Sequence, residues 1–320
     1  MFDVIGIGSA FVDYLFEADS RFLNRHRLEP EGDYLFSEKK LSLKKITSQL
    51  TFLDKSVGGN TPNTLAVLDK VGAKVAYYGV IGKDAEGDFW LENYPKINLS
   101  GVVRKGKMSV SACILTHQRQ KRTFLSSVNK TDNDFFQKVD KKWLNQTKHV
   151  HIGPLFHKPD KNIFYLKKLV NFICKPLISF SPGLFYINLG LEKLLPIIRK
   201  TTVLFLNAQE LRFLTGKSLE EGARTLLGNG VKIIACTQGS QGAKIISADE
   251  QFSAPAVKAS KVVDTTGAGD VFAAGFLWGF LKNKSLRWSA SFANKLAAAS
   301  LGGYGLNWLK LADRRSLLQS

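Results

Sequence analysis

Cysteine, methionine and acid are the scarce residue types in this chain of 320 residues. There are three cysteines, two methionines, and 27 Asp plus Glu against 45 Lys plus Arg. Cys113, Cys174 and Cys236 are widely separated and show no metal-ligand spacing. So few cysteines in so long a chain exclude a disulfide framework and read as reduced thiols of a cytoplasmic protein. No apolar run approaches the roughly 18–20 residues that a membrane span needs. Residues 4–8 open the chain as a strand behind Asp3, with no basic n-region, so a signal peptide is not expected. The shortage of acid leaves a net charge of +18, a balance that would suit a nucleic acid or an anionic membrane. The bases, however, come as scattered pairs (Lys39-Lys40, Lys44-Lys45, Lys141-Lys142, Lys167-Lys168), with no basic arm and no zinc-finger spacing. They read as solvated surface that also steers anionic nucleotide; neither nucleic acid nor membrane is expected as a partner.

What is present is ordinary globular composition, 44% hydrophobic and 22% charged, at a length that holds one large α/β domain. From residue 149 onward, strand-like runs (149–152, 177–180, 203–206, 233–236) alternate with helix-patterned ones (161–172, 189–199, 208–214). Alternation of this kind predicts a parallel sheet covered by helices on both faces. Residues 14–56 mix short β-type runs with a helix-patterned piece at 41–52. Residues 108–115 and 122–126 alternate as an antiparallel hairpin around a polar turn. These two regions predict a second, smaller sheet. His149 and His151 share a strand face, but no third ligand stands nearby, so they read as structural. Two familiar phosphate motifs fail on inspection. Gly6-Ile7-Gly8-Ser9-Ala10-Phe11 has Phe11 where a dinucleotide fingerprint needs its third glycine. Thr215-Gly216-Lys217-Ser218 has Leu211 where a P-loop needs its first.

The chemistry concentrates in Asp264-Thr265-Thr266-Gly267-Ala268-Gly269-Asp270, between a β-type segment (261–263) and an apolar helix-patterned run (271–281). Bare N–H groups at Gly267, Ala268 and Gly269, at a helix start, attract anions and phosphate in particular. Asp270 admits two readings: a simple helix N-cap, or a base that takes a proton from a hydroxyl attacking the bound phosphate. Further upstream, Gly58-Gly59 permits close backbone approach, and Thr61 with Pro62 reads as a capped helix start bracketed by Asn60 and Asn63. Asn207-Ala208-Gln209-Glu210 follows a strand and, taken alone, is also an ordinary capping pair.

Asp-Thr-Thr-Gly-Ala-Gly-Asp followed by Val-Phe-Ala-Ala-Gly-Phe resembles the C-terminal signature of the ribokinase-like (PfkB) carbohydrate and nucleoside kinases. The other motifs follow that family's order from residue 3 to about 308, and the N-terminal third, through Phe11-Val12-Asp13-Tyr14 and Glu31-Gly32-Asp33, is similar to its adenosine-kinase-like subgroup. The resemblance implies one ribokinase-like three-layer α/β/α domain over residues 1–320, with a mainly parallel central sheet. Lid segments at about 12–56 and 102–130 would form a small β-sheet. It implies ATP-dependent transfer of the γ-phosphate to a hydroxymethyl group of an adenosine-like nucleoside or of a sugar such as ribose or fructose. Asp270 would be the base, with the amides of Gly267, Ala268 and Gly269 as its anion hole. Asp13, Gly58, Gly59, Asn60 and Asn63 would bind the acceptor; Asn207, Thr237, Gly239, Gly242 and Asn294 would bind nucleotide. Glu210 would hold Mg²⁺ through water, and Asp264, Thr266, Ser300, Gly303 and Gly305 a monovalent cation such as K⁺. Phe16, Leu35 and Phe124 would discriminate between acceptors, and the protein would be a monomer or homodimer. Ser127-Val128-Asn129 stands where relatives often carry Leu-Gly-Ala, which leaves the acceptor open. A non-catalytic ligand-binding protein on the same scaffold and a nucleic-acid-binding protein are the rival classes.

Overall fold

In a computed structural model, residues 1–30, 32–36, 39–116, 122–131, 135–136 and 139–318 are described. Glu31 and the turn between the 108–115 and 122–126 runs lie outside them. The strands are β1 (Val4–Ile7), β2 (Phe11–Ala18), β3 (Asp33–Leu35), β4 (Thr51–Gly58), β5 (Val75–Ile81), β6 (Asn98–Arg104) and β7 (Ser109–Thr116). The chain continues through β8 (Arg122–Ser127), β9 (His149–Ile152), β10 (Leu177–Phe180), β11 (Val203–Asn207), β12 (Ile233–Thr237), β13 (Ala243–Ser247) and β14 (Gln251–Ala254).

Nine of these form one sheet in the order β14-β13-β12-β11-β10-β9-β1-β5-β6. Every pairing from β6 across to β12 is parallel, and only β12–β13 and β13–β14 are antiparallel. Such strands need apolar residues on both faces, and β1, β5 and β9 are buried at every position. Two apolar cores result. One contains Leu65, Phe205, Phe276 and Leu296, and places the helices Asn60–Lys70, Ala268–Leu281 and Leu286–Ser300 on its side of the sheet. The other contains Leu166, Ile197, Leu211 and Leu226, and gathers Pro159–Phe172, Leu191–Ile198, Ala208–Thr215 and Leu219–Gly228 on the opposite face. The layered α/β/α arrangement anticipated from the alternating pattern is therefore present.

The second sheet has the order β3-β8-β7-β2-β4. β7 and β8 form the anticipated antiparallel hairpin, while β2 runs parallel to β7 through eight residue pairs. Alternation along β2 sends Phe16 into one face with Ala112, Ile114 and Leu125, and Leu15 into the other with Cys113, Leu115 and Phe124. This second face turns toward the main sheet and forms one wall of a cleft.

Several local expectations give way to tertiary packing. The 41–52 run yields only a five-residue helix, Leu43–Thr47, before the chain turns extended as β4. Residues 261–263 form no strand; Val263 instead donates to the Leu301 carbonyl at 2.7 Å. Residues 102–104 belong to β6 in the main sheet, so the second sheet's return segment begins at β7. Phe16 is fully buried in the outer core of the small sheet, away from the cleft. Asn129 is a turn-holder: its amide donates to the Lys105 carbonyl while its Oδ1 accepts from Thr131.

Candidate active site

The cleft floor begins where the 60–70 helix lies on β1. Thr61 is not the N-cap anticipated for this helix; Gly59 is, at φ +109°, and a Cβ there would collide with the Ser9 carbonyl. Thr61 instead donates to the Ile7 carbonyl at 3.0 Å and packs where side chains on Gly6, Gly8 or Gly153 would stand. This close seating brings the first turn of the helix to the first turn of the 268–281 helix. Asn60 Nδ2 donates to Asp270 Oδ1 at 3.2 Å, and Asn63 Nδ2 donates to Oδ2 at 2.8 Å. Thr64 Oγ1 donates to the Asp270 carbonyl at 3.2 Å.

Asp270 is not the N-cap of its helix. That position is held by Gly267, in the left-handed region at φ +73°, which puts Asp270 in the first turn. The Ala268 amide is spent on the Thr265 carbonyl at 3.3 Å. Among the described residues the amides of Gly267, Gly269 and Asp270 have no hydrogen-bond partner, which leaves those of Gly267 and Gly269 bare for an anion.

Asp13, on β2, faces the same cleft and is buried against Gly58 so closely that a Cβ at 58 would overlap its carboxylate. Desolvation, with the charges of Asp264 and Asp270 adding to it, pushes its carboxyl up to about 7. Asp270 is raised to about 6: desolvation outweighs the Asn63 and Asn60 hydrogen bonds and the nearby Arg122 charge, all of which favour the carboxylate. Three acids, Asp13, Asp264 and Asp270, therefore lie close together with a single close cation among the described residues. That cation, Arg122 on β8, donates to Thr265 Oγ1 at 2.5 Å and so bridges from the small sheet to the glycine turn. It went unnoticed in the sequence, where it is one base in a basic tract; its place on the cleft-facing side of the 122–126 run was the only available signal.

Asp264 organises the turn before Gly267. Its Oδ1 accepts from Thr266 N and Oγ1 at 2.8 and 2.6 Å, and its Oδ2 from Gly305 N at 3.1 Å. Three of the five residues anticipated around a monovalent cation thus share one carboxylate. Ser300 and Gly303 lie at the end of the adjoining 286–300 helix, Ser300 donating to Ala297 and Gly303 to Ser300.

Asn207 and Glu210 form a complete capping box: Asn207 Oδ1 accepts from Glu210 N, and Glu210 Oε2 from Asn207 N, both at 2.8 Å. Glu210 Oε1 keeps its lone pairs for another partner. Desolvation raises this carboxyl to about 7, and the Asp270 and Asp33 charges add to the rise against the Asn207 bond. Thr237 ends β12, and Gly239 (φ +59°) and Gly242 (φ +92°) close a tight turn after it, where Gln238 donates to the Gly242 carbonyl at 2.7 Å. Asn294 is buried, and its amide is shared between the Ala254 and Pro255 carbonyls at 3.0 Å each. Its donor group anchors the segment after β14 and is not free for a base. The two strand histidines are structural: His151 Nδ1 lies 2.8 Å from Ser179 Oγ, and burial lowers both rings to about 3. No group of three or more metal-ligating side chains occurs among the described residues.

Residues 34–309 match the pfkB family carbohydrate kinase profile. The chain belongs to that family. As a pfkB-family kinase it is a phosphotransferase with an alcohol group as acceptor. It is 30% identical to an uncharacterized sugar kinase of Archaeoglobus fulgidus over 241 residues, covering 74% of this chain and 95% of the relative. It is also 30% identical to a nucleoside kinase of Methanocaldococcus jannaschii over 267 residues, covering 79% and 82%. The adenosine kinase of Sinorhizobium meliloti superposes with a TM-score of 0.85 at 21% identity, over 98% of this chain and 99% of that one, a likeness of fold.

Proposed function

We propose that this pfkB-family kinase transfers the γ-phosphoryl group of ATP to a hydroxymethyl group of a nucleoside, with a small sugar as the second reading. The observation that carries the chemistry is the Asp270 carboxylate, fixed by Asn60 and Asn63 beside the bare amides of Gly267 and Gly269. The acceptor hydroxyls would lie against Asp13, Gly58 and Gly59. Asp270 takes the hydroxyl proton as the oxygen attacks phosphorus in line, and the two amides with the Arg122 guanidinium stabilise charge on the transferring group. Positioning and electrostatics supply most of the acceleration in such transfers.

Glu210 suits Mg²⁺: it is one partly buried carboxylate, raised by desolvation and further by its acidic neighbours, with Oε1 unengaged among the described residues. Mg²⁺ keeps several waters and needs few protein ligands; bound there with the nucleotide it would neutralise phosphate charge. Asn207, Thr237, Gly239 and Gly242 would border the nucleotide, and a monovalent cation beside Asp264 would stiffen the glycine turn. The three free thiols favour a cytoplasmic setting.

The nucleoside reading is supported by the sequence likeness to the nucleoside kinase and by the aromatic wall next to the acceptor residues. Phe11 precedes Asp13 by two positions on β2 and meets Phe156 edge-to-face at 5.0 Å between ring centres. An ADP-release assay across adenosine, other nucleosides, ribose and fructose tests it. Turnover with nucleosides above that with free sugars is the expected result; turnover confined to sugars establishes the second reading, and no ADP release with any acceptor removes both.

A further inference from the structure

The scattered lysines do not stay scattered in the fold. Between residues 141 and 175 the sequence has eight lysines and one acid, Asp160, and Asp160 is already paired with Lys193 at 2.5 Å. The helix Pro159–Phe172 turns Ile163, Leu166, Leu169 and Val170 inward. Its outer face carries Lys161, Phe164, Tyr165, Lys168 and Phe172, residues three and four apart and therefore side by side. Phe164 is 53% exposed and Phe172 45%, two turns apart on one helix face. Lysine ammonium groups ride on these rings: Lys168 at 4.3 Å over Phe164 and Lys141 at 3.4 Å over Phe172. Lys141 comes from the neighbouring helix Lys141–Leu144, which Asn145 ties to this one by donating to the Phe172 carbonyl at 2.8 Å. The result is one convex strip of alternating ammonium and aromatic groups, on the sheet face opposite the helices that carry Asn63 and Asp270.

We infer that this strip is a docking surface for an anionic phospholipid membrane. Its charge is complementary to acidic headgroups, and a convex helix face with two protruding phenyl rings matches a planar interface that can take the rings in at headgroup depth. Nucleic acid binding calls for a different shape, a concave basic groove whose aromatic faces are open for stacking; here one face of each exposed ring is taken by an ammonium group on a helix surface. The association is peripheral, consistent with the absence, among the described residues, of any helix long and apolar enough to cross a membrane. It is independent of the kinase reading.

The test is sedimentation of the full chain with vesicles of phosphatidylcholine alone and of phosphatidylcholine with phosphatidylserine. Binding only to the acidic vesicles, weakened as salt rises, is expected. The double variant Lys161→Gln/Lys168→Gln should weaken it by roughly 25-fold, at about five-fold per lysine. Phe164→Ser/Phe172→Ser should weaken the part that persists at raised salt. ADP release and thermal midpoint, unchanged in both variants, show that the fold is intact. The inference is overturned by equal binding to both vesicle types, by no binding, by variants that bind as the parent does, or by retention of RNA in a gel shift with no vesicle binding.

Discussion

Asn63 donates to Asp270 Oδ2 at 2.8 Å across 207 positions of sequence. The bond joins the first turns of two helices that share no loop, and it is one of the few forces holding this carboxyl below the value that desolvation alone would give. Asn63→Ala removes a donor that favours the charged form, so the Asp270 pKa must rise. The acid limb of kcat/KM should move above 6, and turnover near that pH should drop by about ten-fold, recovering toward alkaline pH. A pH profile in the variant with an unshifted limb would show that the bond does not tune the base.

Asp270 works as a base only when ionised. With its pKa raised to about 6, kcat/KM should fall about ten-fold per pH unit below that value and level off above it. Asp270→Asn keeps a group of the same size between Asn60 and Asn63. It should fold normally while losing roughly 10²–10⁴-fold in turnover, read as ADP release with acceptor present. Near-parental turnover would take Asp270 out of the mechanism.

Asp13 makes the cleft costly to fold. Its carboxyl is raised from an ordinary acid value to about 7, so folding favours the protonated form. That advantage is complete below the unfolded value of about 4 and is lost as pH climbs through 7. Asp13→Asn is neutral throughout. It should therefore be more stable than the parent above pH 7, by on the order of 2–4 kcal/mol, with the gap closing below about pH 4. Denaturant unfolding at both ends of that range measures it. The same variant should bind acceptor poorly, seen as a raised KM.

Arg122 contributes a guanidinium from the small sheet to a turn on the large one. Arg122→Gln should cut kcat by about 10², the usual worth of one charge-stabilising donor. Being partly exposed, Arg122 should add little to stability, under about 1 kcal/mol in thermal unfolding. Unchanged kcat, or a large fall in stability, would assign the residue to the scaffold instead.

The layered sheet was legible because parallel strands buried on both faces must be written as apolar runs, and 203–206 and 233–236 are such runs. The glycine turn was legible as a helix start because two glycines ahead of an apolar helix-patterned run supply the left-handed residue that begins it. What could not be read was anything settled by contact across the chain. The start of β4 hid at the end of the helix-like 41–52 pattern because its register comes from pairing with β2. Thr61 looked like a cap because the Ile7 carbonyl that claims its hydroxyl is 54 positions away. Arg122 looked like surface charge because Thr265 is 143 positions away. Asn294 looked free for a ligand because the carbonyls that claim its amide, at the end of β14 and just after it, are about 40 positions away.

Thr61, wedged against Gly6, Gly8 and Gly153, sets how this enzyme can be altered. A methyl group on any of the three would lift the helix that carries Asn60 and Asn63 and loosen their grip on Asp270, although none of these residues lies at the reacting atoms. Attempts to retarget the kinase to another acceptor should therefore leave that floor untouched and vary the opposite wall. There Phe124 is only partly buried, whereas Cys113 lies 3.7 Å from Thr266 Oγ1 in the glycine turn, so Phe124 is the position to vary first.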